Sequence, residues 1–246
     1  MISLSVFDKE GETMSKKELL LMGTILAVSM MAGCATQRAW TYRVEPNVRT
    51  TAPVINKSVV VHPLFDGREY INENNRLMAL VPIVPYGWQD LKIPEAVQMH
   101  VNSGPWLFKP SEDLAKAIAE ELDHSGIFKE VLFTNGPGEG ELFLRGEVKS
   151  TGYHGKLMTY GLSITAPILW LFGLPSGYVK NVLGLSIQLV DTKTNKVVWE
   201  GTYEKREEHA DRIYVTKSDF LYDRLLKEIM KEALPSMKNR LAKYQE

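Results

Sequence analysis

The side chains that could carry out chemistry are few and lie far apart in the sequence. Asp66, Arg68 and Glu69 follow a short β-branched run, a position where α/β proteins often place a site. His209 and Asp211 offer a weak pair of ligands for a cation. No phosphate loop or nucleophile elbow accompanies either group, so we interpret them as a solvated turn and a charged linker. We therefore predict a protein that is not an enzyme and holds no metal and no cofactor.

The composition is that of a folded and nearly neutral chain. Its 246 residues carry 29 Lys and Arg against 30 Asp and Glu, for a formal net charge of −1. Because such a chain has no overall field to attract nucleic acid, we expect no nucleic-acid partner. A single cysteine also excludes an internal disulfide framework.

That single cysteine, Cys34, follows a leader with an apolar core. A short basic stretch precedes residues 19–31, which are apolar but fewer than the about 20 residues that span a membrane. Small residues then lead to the cysteine, an order typical of a secretory signal. We place the true start at Met14, because residues 1–13 are rich in acidic side chains.

The residues 31–34, Met-Ala-Gly-Cys, resemble the lipobox of bacterial lipoproteins. The alternative is an ordinary secretory signal with a bystander cysteine. The resemblance implies a signal peptide over 1–33 and a mature chain whose Cys34 is the lipidation site, with diacylglycerol and palmitate-type chains as the membrane anchor. Ala35 after the cysteine implies an outer-membrane location facing the periplasm. Residues 34–57 then form the lipidated cysteine and a polar tether.

Hydrophobic periods predict a single α/β domain over 58–246. Helices covering a small mixed sheet would bury the apolar faces of these elements. Between the first strand and the first helix, residues 70–110 show no clean period and are predicted to form a long loop in which Trp88 and Trp106 pack. Strands are expected at 58–65, 128–133, 141–150, 182–191 and 197–203, one helix before Gly126, and a closing helix after Thr216 that Pro235 breaks or kinks.

Three stretches of the domain resemble a group of envelope lipoproteins. They are VVVHPLFDGRE at 59–69, SEDLAKAIAEELDHSGIFKEVLF at 111–133 and LSIQLVDTKTNKVVWEGTYEK at 185–205. The group includes the curli secretion channel lipoprotein, the Pel polysaccharide export lipoprotein and the amino-terminal domain of TolB. The resemblance implies a periplasmic domain similar to the anticodon-binding fold. It also implies a homo-oligomer or an envelope export complex as the partner, because several members assemble into rings.

Residues 157–179 form an apolar insertion between two amphipathic strands and contain no charged side chain. Four interpretations stay open: a cap on the domain's own core, contact with a membrane or a partner subunit, a hairpin of a multi-subunit barrel, or a single span interrupted by Pro167 and Pro175. We expect residues 81–88, which are similarly apolar and rich in proline, to pack against it. The candidates for membrane or partner contact are Leu162, Ile164, Ile168, Leu169, Trp170, Leu171, Phe172, Leu174 and Tyr178.

The leading hypothesis is therefore a non-enzymatic, lipid-anchored envelope protein that acts as a structural or accessory component of an export or assembly complex. The alternative is a periplasmic binding module for lipid or polysaccharide, with a pocket built from the insertion and the 70–110 stretch.

Overall fold

The structure, a computed structural model, describes residues 36–44, 53–97, 103–214 and 220–243. The predicted signal peptide, the start at Met14 and the lipidation of Cys34 lie outside these residues. The described helices are α1 (Pro110–Ser125), α2 (Pro167–Leu171) and α3 (Tyr222–Ala242). The strands are β1 (Thr36–Ala39), β2 (Ile55–Val61), β3 (Phe65–Asp66), β4 (Asn72–Asn75), β5 (Tyr86–Leu91), β6 (Ser103–Leu107), β7 (Phe128–Phe133), β8 (Leu142–Met158), β9 (Gly177–Asp191) and β10 (Val197–Asp211).

Eight of the strands form one mixed sheet. Its main path runs β10-β9-β8-β2-β7, with β3 and β5 pairing with β8, and β4 pairing with β5. The strand β2 is parallel to both of its neighbours, whereas the pairs β8–β9 and β9–β10 are antiparallel. The predicted α/β fold, a mixed sheet with packed helices, is confirmed.

The helices α1 and α3 cover one face of the sheet. In α1 the predicted period places Leu114, Ile118 and Leu122 in the core, where none of the three is exposed to solvent. Its N-cap is Lys109 and Pro110 occupies its first turn, a position that suits a residue without an N–H. The helix ends at Gly126, which takes the left-handed conformation with φ of 64°.

The closing helix α3 runs through Pro235 to Ala242, so the predicted break at this proline is wrong. Proline removes one backbone donor and crowds the preceding turn. Beyond it, however, Met237 and Leu241 are both buried in the core. The burial of these two side chains holds the last turns in place despite the lost hydrogen bond.

The 70–110 stretch is not a long loop, because β4, β5 and β6 lie within it. Its strands lack the usual apolar alternation, which explains the error: all of β4 is exposed, and the inward side of β5 includes Gly87 and Gln89. Trp106 packs as predicted and stacks on Phe220 with ring centroids 4.2 Å apart. Both tryptophans are half-buried, and Trp88 is in T-shaped contact with Tyr86 at the opening of a groove that is described below.

The start of the described chain lies against the domain, in contrast to the tether predicted for 34–57. The strand β1 pairs in parallel with β6, and Trp40 and Tyr42 pack on the hydrophobic core. The ring of Trp40 lies 5.2 Å from that of Phe108. The two aromatic side chains, although they belong to a polar stretch, thus pack on apolar residues of the domain. The first strand of the main sheet begins at Ile55 and not at residue 58 as predicted.

The turn between β9 and β10 holds a buried carboxylate that links stability to pH. Asp191 Oδ1 accepts hydrogen bonds from the Thr194 N–H at 2.9 Å and the Thr194 hydroxyl at 3.0 Å, and Oδ2 lies 3.3 Å from Lys57 Nζ. These contacts, the Thr194 N–H foremost, lower the pKa of Asp191 to about 2. A carboxyl whose pKa is depressed in the folded state stabilises the fold above its unfolded pKa, and this contribution is lost as the pH falls through about 2.

We therefore expect Asp191→Asn to lower the free energy of unfolding by about 1–2 kcal/mol at pH 7, and by much less near pH 2. Urea denaturation of wild type and variant at both pH values measures this difference. The matched control is Glu139→Gln, which neutralises an exposed carboxylate and should change little at either pH. A loss that is as large at pH 2 as at pH 7 would show that the Asp191 charge is not the cause.

Candidate functional site

Asp66 and Arg68 belong to a mostly buried ion cluster, so the prediction of a solvated turn is wrong for these two residues, whereas Glu69 is exposed as predicted. The Arg68 residue is only 6% exposed. Its Nε and Nη2 donate to the two oxygens of Asp66, each at 2.8 Å, and Nη2 also lies 2.8 Å from Glu95 Oε1. Hydrogen bonds from Arg68 keep the pKa of Asp66 below its usual range.

The same guanidinium connects distant parts of the chain. Arg68 Nη1 donates to the Thr151 hydroxyl, in the middle of β8, at 2.6 Å. The cluster thus joins β3, the 3₁₀ turn at Pro94–Ala96 and β8 through one side chain. Because its donors are used within the protein, Arg68 serves as a structural clamp and not as a group that binds substrate.

His209 and Asp211 lie within β10, so the predicted charged linker is also wrong. His209 is buried, with Nε2 3.1 Å from Asp211 Oδ1. Its neighbour Glu207 pairs instead with Arg224 of α3. Among the described residues no group of three or more His, Cys, Asp or Glu is arranged to hold a metal ion.

The predicted insertion forms the far end of the long β8–β9 hairpin. We call residues 77–85 and 159–175 the tip; neither stretch contains a charged side chain. Backbone and hydroxyl groups join the two stretches. The Ile83 N–H donates to the Gly161 carbonyl at 3.0 Å, and the Thr159 hydroxyl donates to the Val84 carbonyl at 3.1 Å. The predicted packing of 81–88 against the insertion is confirmed.

Most of the large apolar side chains of the tip face outward. Ile164 is 80% exposed, Ile168 55% and Phe172 77%, and Ile83 from the other stretch is also largely exposed. Of the predicted contact residues, Leu162, Ile164, Ile168, Leu171, Phe172 and Tyr178 are exposed, whereas Leu169, Trp170 and Leu174 are half-buried. The interpretation of the insertion as a cap on the domain's own core is therefore wrong for the exposed side chains.

Hydrogen bonds within the tip and to the strands beside it hold its backbone, and the apolar side chains are displayed on this backbone. Trp170 Nε1 donates to the Met158 carbonyl at 2.9 Å, and the Tyr160 hydroxyl donates to the Pro175 carbonyl at 2.8 Å. Tyr214, beyond β10, donates to the Leu171 carbonyl at 2.9 Å. No helix within the described residues is long and apolar enough to cross a membrane.

The direction of the first described segment relates it to the tip. Tyr42 donates to Glu121 in the later half of α1, Trp40 packs on Phe108 just before that helix, and Arg38 is level with Trp106. Read from residue 42 back to 36, the chain therefore passes the start of α1. The Leu64 N–H donates to the Ser111 carbonyl at the start of α1, and the Ile55 N–H donates to the Ile127 carbonyl just after its end, so α1 runs antiparallel to β2 and to the parallel start of β8. The N-terminal end of the segment therefore points in the direction in which β8 runs toward the tip.

A groove of about 700 Å³ lies on the sheet face at the base of the tip. Strand pairing places its side chains in three cross-strand rows. They are Tyr86–Met158, Trp88–Lys156–Tyr178 and Asp90–His154–Lys180–Glu208, in order of increasing distance from the tip. The groove lies between the insertion and the 70–110 stretch, where the alternative hypothesis places a pocket.

The sequence does not single out these groove residues, because they come from four strands whose pairing brings them together. A signal is present at every second position of two short stretches, which hold His154, Lys156 and Met158 in the first and Tyr178 and Lys180 in the second. Only the register shows that these short patterns meet on one face of the sheet.

Comparisons with known proteins give distant structural likenesses. No family model and no characterised protein matches the sequence. The chain is similar to a DUF330 protein from Xanthomonas campestris, with 14% identity, a TM-score of 0.46 and coverage of 85% of this chain and 99% of that one. It is also similar to a dodecameric PelC from Paraburkholderia phytofirmans, with 14% identity, a TM-score of 0.37 and coverage of 78% and 93%.

Proposed function

We propose that this chain is a non-enzymatic lipoprotein of the bacterial envelope. In this proposal Cys34 carries the lipid anchor in the outer membrane, the domain faces the periplasm, and the tip contacts the bilayer. The role is that of a structural or accessory component of an export or assembly complex. The observation that carries the proposal is the tip, a charge-free surface of large apolar side chains displayed on an ordered backbone.

An exposed apolar surface of this kind indicates an interaction site. Ile164, Ile168 and Phe172 are each more than half exposed, and their transfer out of water contributes about 1–2 kcal/mol apiece. Tyr178 and Tyr214, at the margin of the tip, are exposed aromatic residues of the type that favours the membrane–water interface. An apolar tip with tyrosines at its margin matches a bilayer surface, where the hydrocarbon region is bordered by the polar interface.

The course of residues 36–44 supports the bilayer as the contact. Their N-terminal end points in the same direction as the tip, and Cys34 precedes Thr36 by only two residues. Two extended residues span at most about 7 Å. A lipidated Cys34 would therefore hold the tip-bearing end of the domain toward the membrane.

A second function, that of a binding module for lipid or polysaccharide, is favoured by the groove. A volume of about 700 Å³ is within the range of small-molecule sites. The two functions are compatible, since the groove begins where the tip ends.

The lipid anchor is tested by the mass of the mature protein isolated from membranes. We expect a chain that begins at Cys34 and carries the added mass of diacylglycerol and a further acyl chain, and we expect Cys34→Ser to carry none. A double variant, Cys34→Ser with Thr51→Cys, keeps one thiol but moves it out of the lipobox, and it should also remain unmodified. A mature wild-type chain with a free Cys34 thiol would contradict the proposal.

A further inference from the structure

We propose that the groove binds the headgroup of a phosphate-bearing amphiphile, a phospholipid of the bilayer that the tip contacts. The inference rests on the proposed function, since it takes the tip to lie at the membrane surface. It adds a ligand site, with a chemical class of ligand, at the base of the tip.

The register of four strands builds the middle of the groove. Lys156 of β8 lies opposite Trp88 of β5 on one side and Tyr178 of β9 on the other. Its Nζ also lies 5.2 Å from the centre of the Tyr86 ring, which is in T-shaped contact with Trp88. A cation is thus surrounded by three aromatic rings on one sheet face, an arrangement that suits a ligand with both an anionic and an apolar part.

A second lysine is placed for the same anion. Lys180 is two residues from Tyr178 on β9 and is therefore the diagonal neighbour of Lys156. Diagonal neighbours in a sheet have Cβ atoms about 7–8 Å apart, so two lysine side chains can reach one phosphate. Within the part of the chain that the structure describes, neither lysine forms an ion pair with a carboxylate. Both charges are available to a ligand.

The polarity of the groove changes in one direction, and this favours an amphiphile over an oligosaccharide. Nearest the tip is the apolar pair Tyr86 and Met158, and the row Trp88–Lys156–Tyr178 lies one step further away. The outermost row, Asp90–His154–Lys180–Glu208, consists of charged and titratable groups. An oligosaccharide repeats the same hydroxyl groups along its length and does not match a groove with one apolar and one charged end, whereas a phospholipid changes in the same direction from acyl chain to headgroup.

The charges of the outermost row match a zwitterionic headgroup. Lys156 and Lys180 would take the phosphate, and Asp90 and Glu208 lie at the two ends of the row, where an ammonium group would be stabilised. His154 Nδ1 lies 3.1 Å from Asp90 Oδ1. A bound ammonium group would therefore contact this carboxylate alongside His154. Glu208 is exposed and opposite Lys180. The geometry therefore fits phosphoethanolamine better than an uncharged headgroup.

Calorimetric titration of the full-length lipidated protein in a maltoside detergent tests the site. The probe is dihexanoylphosphatidylethanolamine, compared with dihexanoylglycerol, phosphoethanolamine, inorganic phosphate and chitotetraose. We expect the phospholipid to bind most tightly, and Lys156→Gln with Lys180→Gln to weaken it by about a hundredfold, roughly tenfold for each lost charge-assisted contact. Lys129→Gln with Lys193→Gln removes the same charge from exposed positions elsewhere and should leave binding unchanged.

Each contrary outcome has a separate meaning. Equal binding of dihexanoylglycerol, or no loss in the Lys156 and Lys180 variant, overturns a phosphate site. Binding of inorganic phosphate as tight as that of the phospholipid makes the groove a site for a free anion, and binding of chitotetraose alone makes it a sugar site. The proposed function is measured independently by the entry of the tip into a bilayer. If the tip enters but no phospholipid binds, only the headgroup site is wrong.

Discussion

Glutamate at both Ile168 and Phe172 is expected to withdraw the tip from the bilayer. The two side chains are 55% and 77% exposed, so their replacement should leave the fold intact. The change removes about 1–2 kcal/mol of apolar transfer at each position and adds the cost of placing carboxylates at the membrane surface. A combined loss of about 4 kcal/mol shifts the equilibrium by about a thousandfold.

A fluorophore that reports polarity, attached at Ile164→Cys in the lipidated protein, measures this withdrawal. In proteoliposomes its emission should shift to the blue when the two apolar residues are present and should match the emission in water when both are glutamate. The control, Phe65→Glu with Leu132→Glu, changes residues that are 69% and 53% exposed on β3 and β7. It should leave the blue shift unchanged, because these strands lie far from the tip.

The same variants separate a bilayer from a partner subunit. If the tip covers a neighbouring copy, light scattering in detergent will show a defined oligomer for the wild type that falls to a monomer in the glutamate variant. An oligomer of this kind, with no blue shift in proteoliposomes, would contradict the bilayer contact and would favour a ring.

The second large effect is expected from Arg68→Ala. The substitution leaves Asp66 and Glu95 facing each other in a mostly buried cluster without their shared cation. Removal of one partner from a buried ion pair typically costs about 3–5 kcal/mol, because the remaining charge is not compensated. We expect a loss of that size in the free energy of unfolding, measured by urea denaturation followed by circular dichroism.

An exposed ion pair provides the comparison for this effect. Arg206 lies 2.8 Å from Glu204 on β10, and both side chains are more than half exposed. Arg206→Ala should cost less than about 1 kcal/mol. Arg68→Lys should fall between the two, because an ammonium keeps the charge but cannot form the two-pronged contact with Asp66. Equal losses at Arg68 and Arg206 would show that the cluster is not a structural clamp.

The sequence predicts elements best where one face is regularly apolar. The helix α1 and the later part of β9 follow from their periods, because the buried face of each repeats without interruption. Leu183, Leu185, Ile187 and Leu189 are all buried on one face of β9. The strands β4 and β5 were not predictable in this way. One is fully exposed, and the other turns a glycine and a glutamine toward the interior. Pairing with neighbouring strands, and not hydrophobic pattern, determines both of them.

The candidate sites show the same division. The apolar insertion stands out in the sequence because 23 uncharged residues interrupt a chain rich in charge. Whether its side chains face inward or outward depends on the length of β8 and β9, which carries the insertion away from the core. The sequence around Arg68 is typical of a polar turn. Its burial results from contacts with Glu95 and Thr151, which are distant from it in the sequence.

The position of β1 changes how strongly the tip must bind. A free tether over the 22 residues from 36 to 57 would let the domain range over roughly 25 Å from its anchor. With β1 held on the domain, lipidation two residues earlier would keep the tip at a high effective concentration relative to the surface that holds the acyl chains. A contact between tip and bilayer that is too weak to hold a free protein on a membrane would then be formed most of the time. The tip could also leave and re-enter the bilayer while the protein stays anchored.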